Sequence, residues 1–274
     1  MKASVIRNGG IFGAGLLESL GIALILASAL EFTPTTRAAE PPPNLLKKIA
    51  LAESAVAKAR DNYTYHQDVL IQELDHRDMV KGEYHESRDV TFSPSGSRYE
   101  QVVGKPANSL SEIRLTPEDF ADIRTIQPFF LTPDNVGLYS GEYKGEETMD
   151  GILCFVEHVA PKQVLSGARY FEGLLWVRET DLMIVRSEGQ AVPQIDTLKE
   201  QNLFPHFTTL WREVDGKWLF PTETIADDTL FFRNWPLRIK IRIRYEKYKK
   251  FGVESTLTFE GEAAAPTPPT APQR

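Results

Sequence analysis

The residues able to do chemistry are few in this chain, and their spacing does not suit it. The chain has no Gly-x-Ser-x-Gly, and its single cysteine, Cys154, lies within Ile152-Leu153-Cys154-Phe155-Val156, a run apolar on both faces of an extended segment. That context describes a buried strand thiol, and burial in apolar surroundings makes a thiol a poor nucleophile. One cysteine allows no intramolecular disulfide, so packing must hold the fold. His66, His76, His85, His158 and His206 are scattered, with no His-x-x-x-His and no cysteine pair, which is not the spacing of a zinc site. Glu146-Glu147 and Asp227-Asp228 are adjacent pairs expected in turns. Neighbours in extended chain point to opposite faces, so neither pair converges as a two-carboxylate hydrolase requires. Glycine loops that cradle phosphate are absent. No catalytic residue, metal or cofactor is expected.

Two other constellations stand out. In Arg238-Ile239-Lys240-Ile241-Arg242-Ile243-Arg244-Tyr245, strict alternation puts four cations on one strand face and three isoleucines plus Tyr245 on the other. Arg238, Lys240, Arg242 and Arg244 form either a solvated outer face that blunts unwanted sheet pairing, or a basic stripe for an anionic partner such as a lipid headgroup. The second constellation is a wealth of large aromatic side chains, which mostly build a core but can also line an apolar pocket in a concave sheet.

The elements that must position these residues follow from periodicity. Residues 44–60 predict a helix, with Asn44 as its cap and Leu45, Leu46, Ile49, Ala52 and Val56 at helical spacing. From Tyr63 the period becomes two: Tyr63, Tyr65, Val69 and Ile71 alternate with Thr64, His66, Asp68 and Leu70. A second strand fits 82–93, with Tyr84, Val90 and Phe92 on one face, and a third runs from Arg98 to about Val103. Thr116-Pro117-Glu118-Asp119 then places a hydroxyl at an N-cap, proline at the first helical position and acids in the first turn. The short helix that follows carries Phe120, Ile123 and Ile126 inward and stops at Pro128. Further strands are predicted at 137–148, 151–160, 169–178, 182–189, 205–214, 217–226 and 237–248, with a last one at 253–260. Asp150-Gly151 and Asp215-Gly216 supply the sharpest turns. Strands joined by short turns imply an antiparallel meander, and so many in one sheet must curl. A concave face of that size needs covering, and the two helices are the only candidates unless a ligand shares the task.

The chain of 274 residues is long enough for one large β domain. Lys2 and Arg7, an apolar run purest from Leu20 to Leu30, and the small residues that follow give residues 1–38 the layout of a secretory signal peptide. The pure run is roughly half the ~20 residues that span a bilayer. Residues 39–43 form a proline-rich spacer, 44–260 the folded domain, and 261–274 a tail of Ala, Pro and Thr with no apolar content for a core. The net charge of −7 argues against nucleic acid as a partner, because phosphate binding needs a basic face.

Three stretches carry a resemblance. They are Tyr143 to Cys154, with Gly145-Glu146-Glu147 leading to Asp150-Gly151; Phe171-Glu172-Gly173-Leu174-Leu175-Trp176-Val177 followed by Met183-Ile184-Val185-Arg186; and Asp215-Gly216-Lys217-Trp218-Leu219-Phe220-Pro221 with the later Tyr245-x-x-Tyr248-Lys249-Lys250-Phe251. With these and with its order of elements, the chain resembles the outer-membrane lipoprotein-sorting superfamily, the LolA-like periplasmic carriers. The resemblance implies a mainly β, α+β fold: a large curved antiparallel sheet, an unclosed β-barrel, with helices on its concave face. It implies no enzyme activity and no cofactor, but a cavity for the acyl chains of lipoproteins or lipids, in a monomer exported to the periplasm or secreted. Phe120, Ile123, Phe129, Phe130, Leu131, Phe171, Leu174 and Trp176 are the residues expected to line such a cavity. Alternatives are an envelope sensor that binds a protein partner through the strip from Arg238 to Lys250, and a secreted hydrolase on an unfamiliar β scaffold.

Overall fold

A computed structural model describes residues 40–93, 96–129, 131–198 and 201–251. The expected signal peptide, the tail, the strand at 253–260 and Phe130 lie outside the described residues.

Helix α1 (Leu45–Arg60) turns Leu45, Ile49, Ala50, Glu53 and Val56 inward. Asn44 precedes it with a left-handed backbone (φ 58°) and no side-chain capping bond, so it turns the chain rather than capping the helix. Three strands follow, β1 (Tyr63–Leu74), β2 (Val80–Phe92) and β3 (Arg98–Asn108). In β1 every odd-numbered residue from Tyr63 to Glu73 is buried, as the alternation predicts. β3 runs on past Pro106, which an edge strand tolerates because its outer N–H positions need no partner.

A long connection from 109 to 138 carries α2 (Pro117–Thr125) and a 3₁₀ turn at Val136–Leu138. The capping box is complete: the Thr116 hydroxyl accepts from Asp119 N, and the Asp119 carboxylate accepts from Thr116 N at 2.7 Å. The remaining strands are β4 (Tyr139–Met149), β5 (Ile152–Pro161), β6 (Tyr170–Arg178), β7 (Ile184–Val192), the two-residue β8 (Ile195–Asp196) and β9 (Gln201–Asn202), β10 (Phe207–Val214), β11 (Trp218–Phe231) and β12 (Pro236–Lys250). Asp150-Gly151 and Asp215-Gly216 both have positive φ at two successive residues, the conformation of a tight hairpin turn matched to strand twist.

Among the described residues, ten strands form one antiparallel sheet in the order β3-β2-β1-β12-β11-β10-β7-β6-β5-β4. Its edges, β3 and β4, do not pair with each other, so the barrel is unclosed. The expected single meander is in fact two. β1 to β3 run outward to one edge, the chain passes to the opposite edge at β4, and the return meander ends with β12 locked against β1 from Tyr63↔Lys250 to Leu74↔Arg238. Residues 109–138 therefore cross the inner face from edge to edge. They touch β2 through Phe120 and Tyr84, β10 through Gln127 and Thr209, and β6 through Phe129 and Phe171. This crossing and α1 are the covers that the curled sheet needs.

Candidate binding cavity

A cavity of about 360 Å³ lies where the crossing segment passes over β1, β12 and β11. Its floor is the inner face of the strand pair at the N- to C-terminal seam, Ile71 of β1 opposite Ile241 of β12, with Ile239 beside them and Leu230 from β11. Ile113, Leu115 and Ile123 close it from the crossing segment, and Leu203, Phe204, Phe232 and Trp235 from the loops between strands. Its volume falls within the range of small-molecule sites.

The walls are held by polar anchors. Glu73, fully buried at an inward position of β1, receives Ser111 N at 2.9 Å, Ser111 Oγ at 3.2 Å, Glu112 N at 2.7 Å and Ile113 N at 2.7 Å. One carboxylate thus fixes the start of the crossing segment, which explains an acid on the inner face of a strand. On the far side, Arg169 donates to Asp122 Oδ2 at 3.0 and 2.9 Å, to Asn202 Oδ1 at 3.2 Å and to the Pro193 carbonyl. It ties α2 to the β8–β9 hairpin. The Asp122 carboxyl is raised by burial, opposed by its bonds to Arg169. At the rim, Phe232 stacks on Trp235 with centroids 5.8 Å apart, and Arg233 pairs with Asp196 at 2.9 Å. Gln127 lies in the cavity wall with no exposed surface.

Of the residues expected to line a cavity, Ile123 does so. Phe120 lines an adjoining groove with Tyr84, Leu110, Ile113 and Leu115. Phe129 and Phe171 stack on each other at 4.7 Å, and Phe171 meets Phe207 at 6.0 Å. With Leu131 they fill the inner face solidly over the β6 side of the sheet. Leu174 and Trp176 occupy the opposite face of β6 from Phe171. There Trp176 Nε1 donates to Glu147 Oε2 at 2.6 Å and the Arg186 guanidinium covers the ring at 4.8 Å. The expected lining is corrected accordingly: most of the expected aromatic residues fill space against each other, and the floor of the hollow is aliphatic. Ile71, Ile239, Ile241 and Leu230 were legible as inward strand residues. The loop contributions at 111–116 and 201–205 carry no periodic signal.

The four stripe cations share the outer face of β12, as the alternation requires, and each meets a carboxylate. Arg238 pairs with Asp227 at 2.8 Å and Asp78 at 3.3 Å, Lys240 with Asp227 at 3.4 Å, Arg242 with Glu223 at 2.6 Å, and Arg244 with Asp68 at 3.5 Å. Asp227 and Asp228 sit within β11 rather than in a turn, as Glu146 and Glu147 sit within β4. Asp227 faces the stripe while Asp228 accepts from His206 N at 3.0 Å, so the pair diverges.

Cys154 is buried, and burial pushes its thiol up to about 11. Asp68 accepts from His85 Nε2 at 2.7 Å and from Ser87 Oγ at 2.9 Å. In a triad the hydroxyl bonds to the imidazole; here it bonds to the carboxylate, so His85 is not placed to take its proton.

No protein-family model and no curated protein matches this chain. Solved structures do. A DUF1329 family protein from Desulfovibrio piger is 14% identical, with 82% of this chain and 99% of that one covered at a TM-score of 0.42. A LolA superfamily protein from Nitrosomonas europaea is 15% identical, with 74% and 94% covered at 0.32. A putative outer membrane lipoprotein-sorting protein domain from Vibrio parahaemolyticus is 10% identical, with 76% and 93% covered at 0.35.

Proposed function

We propose that this protein is a non-enzymatic carrier of the cell envelope that holds an acyl chain of a lipoprotein or lipid in the cavity beneath the crossing segment. The observation that carries this reading is the apolar-walled hollow of about 360 Å³ between the inner sheet face and its cover. Each buried methylene contributes about 0.8 kcal/mol, so a chain of several carbons offsets the penalty of keeping aliphatic walls apart. Phe232 and Trp235, stacked on each other at the edge of the cavity, give an alkyl chain an apolar wall there. The export layout of residues 1–38 fits a periplasmic or secreted protein.

The test is uptake of a fluorescent fatty acid by delipidated protein, beside a variant whose hollow is filled, Ile239→Phe with Leu230→Phe. The native protein is expected to saturate at one site. The filled variant is expected to lose at least tenfold in affinity while melting within a few degrees of the native protein. Native mass spectra without any co-purified lipid, together with no uptake, would reject the carrier reading.

The sensor reading, an envelope protein partner bound along the outer face of β12, finds less support, because every stripe cation already has a carboxylate within 3.5 Å.

A further inference from the structure

Gln127 is a buried amide without a partner. Its side chain has no exposed surface, and neither Nε2 nor Oε1 makes a hydrogen bond. Its backbone is fully engaged. The N–H donates to Asp122 O at 3.0 Å, and the carbonyl accepts from Thr209 Oγ1 at 2.7 Å. Thr209 is bonded in turn to Thr224, and Thr224 to Tyr245. The nearby hydroxyls are thus committed to one another and to the backbone, and the side chain is held in place without being satisfied. Buried polar groups in native proteins almost always find partners, so each exception calls for an explanation. The explanation here is positional. Gln127 stands in the wall of the cavity, where Ile71, Ile123, Leu230, Ile239 and Ile241 offer no donor or acceptor, and where the polar Thr116, Asp119, Gln201 and Asn202 are bonded elsewhere.

We propose that Gln127 recognises the uncharged head of the ligand, a carboxylic acid or carboxamide at the end of a single acyl chain that enters the cavity head first. The proposal deepens the carrier reading and rests on it. A primary amide presents one donor and one acceptor side by side. A neutral carboxyl or carboxamide presents the complementary acceptor and donor at the same spacing, so both orphaned atoms are satisfied at once. An ester offers only acceptors and leaves Oε1 unpaired. An ionised carboxylate does the same and brings a charge into the cavity that Asp119 also lines. A site built to bond a polar group rejects the analogue that lacks it far more strongly than an apolar pocket rejects one methylene.

The experiment uses the delipidated folded chain and measures displacement of a fluorescent fatty amide by decanamide, methyl decanoate and decanoic acid. Decanamide is expected to bind at least tenfold more tightly than methyl decanoate. Decanoic acid is expected to match the amide only below its own pKa, which separates the free acid from an amide-headed ligand. In Gln127→Met, which keeps the volume and removes an unsatisfied amide, the amide is expected to lose about tenfold and the ester to hold or gain. Gln127→Met should melt no lower than the native protein, so lost binding cannot be assigned to unfolding. The side-chain NH₂ signal that disappears in Gln127→Met should shift when decanamide is added to native protein. Equal affinity for amide and ester in the native protein, or a preference that survives in Gln127→Met, overturns the head-group assignment and leaves the carrier reading standing. Failure of every ligand to bind the native protein overturns both.

Discussion

The inner face of the sheet is closed in two different ways. Over β6, β7 and β10 the cover is solid, with Phe129, Phe171, Phe207, Tyr139 and Leu131 packed ring against ring. Over β1, β12 and the end of β11 the floor is aliphatic and the cover stands off it, leaving the hollow. Both halves are apolar and lie under the same crossing segment. What differs is the shape of the side chains. Flat rings 4.7 Å apart mate with one another, whereas short branched chains on adjacent strands form a smooth floor that cannot reach the cover. Aromatic richness is therefore a sign of filling, and an aliphatic floor beneath an anchored loop is the sign of a vacancy.

The largest expected effect breaks the solid half. Phe171→Ala removes a fully buried ring stacked on Phe129, and a change of that kind costs about 3–5 kcal/mol where the site cannot collapse. Denaturant unfolding should show that loss. A second small-molecule site in the solid half is also expected, because a cavity lined by rings stays dry and accepts apolar guests. A loss under 1 kcal/mol would mean that the two halves are packed alike.

The next effect concerns an acid hidden on the solid side. Glu53 of α1 accepts from Ile184 N at 3.0 Å, its second oxygen has no partner, and burial pushes its carboxyl up to about 8. Glu157, also buried, is pushed up to about 7, by burial first and then by the charge of Glu142. A folded value above the unfolded 4.5 means that the proton favours the native state. That contribution is complete below about 4.5 and is lost as pH rises through 8. The native protein should lose on the order of a few kcal/mol between pH 5 and pH 8.5 relative to Glu53→Gln, whose profile over that range should be flatter. Parallel pH profiles for the two proteins would show that Glu53 is solvated, and that the solid half admits water.

Much of this arrangement was legible from residue types and spacing. Periodicity and turn residues located ten strands and the inward faces of three of them, among them Tyr63 to Ile71 of β1 and the isoleucines of β12, and Thr116-Pro117 marked the start of α2. Parity alone also separates Phe171 from Leu174 and Trp176, since residues an odd number apart in a strand face opposite ways. Grouping them as one lining ran against that rule. Glu73 and Gln67 sit at odd-numbered inward positions of β1 and could be read as buried polar groups on the same grounds. Pairings distant in sequence could not be read. Nothing local in Tyr63–Leu74 says that its partner lies in 238–250, or that residues 109–138 travel between opposite edges. The cavity is made by that journey and by aperiodic loops, so its position follows from topology, and Gln127 becomes notable only once its surroundings are seen.

The smallest expected effect sets the outer face behind the hollow against the hollow itself. Arg238, Lys240, Arg242 and Arg244 lie on β12 back to back with Ile239 and Ile241, one side facing solvent and the other the cavity. Exposed ion pairs contribute about 0–1 kcal/mol each, because water screens the attraction and fixing two long side chains costs entropy. Replacing all four by Gln should therefore move the melting temperature only slightly and leave fatty-acid uptake unchanged. It also takes the β12 cations away from Asp68, Glu223 and Asp227, so the face becomes acidic. If the stripe were an anion-docking surface, native protein would sediment with vesicles rich in anionic lipid at 0.15 M salt and the variant would not. Neutralised as the stripe is, no salt-sensitive vesicle binding is expected from either protein. Salt-dependent binding by the native chain alone would show that its neighbouring carboxylates do not cancel the stripe, and would give the two faces of one strand two separate tasks.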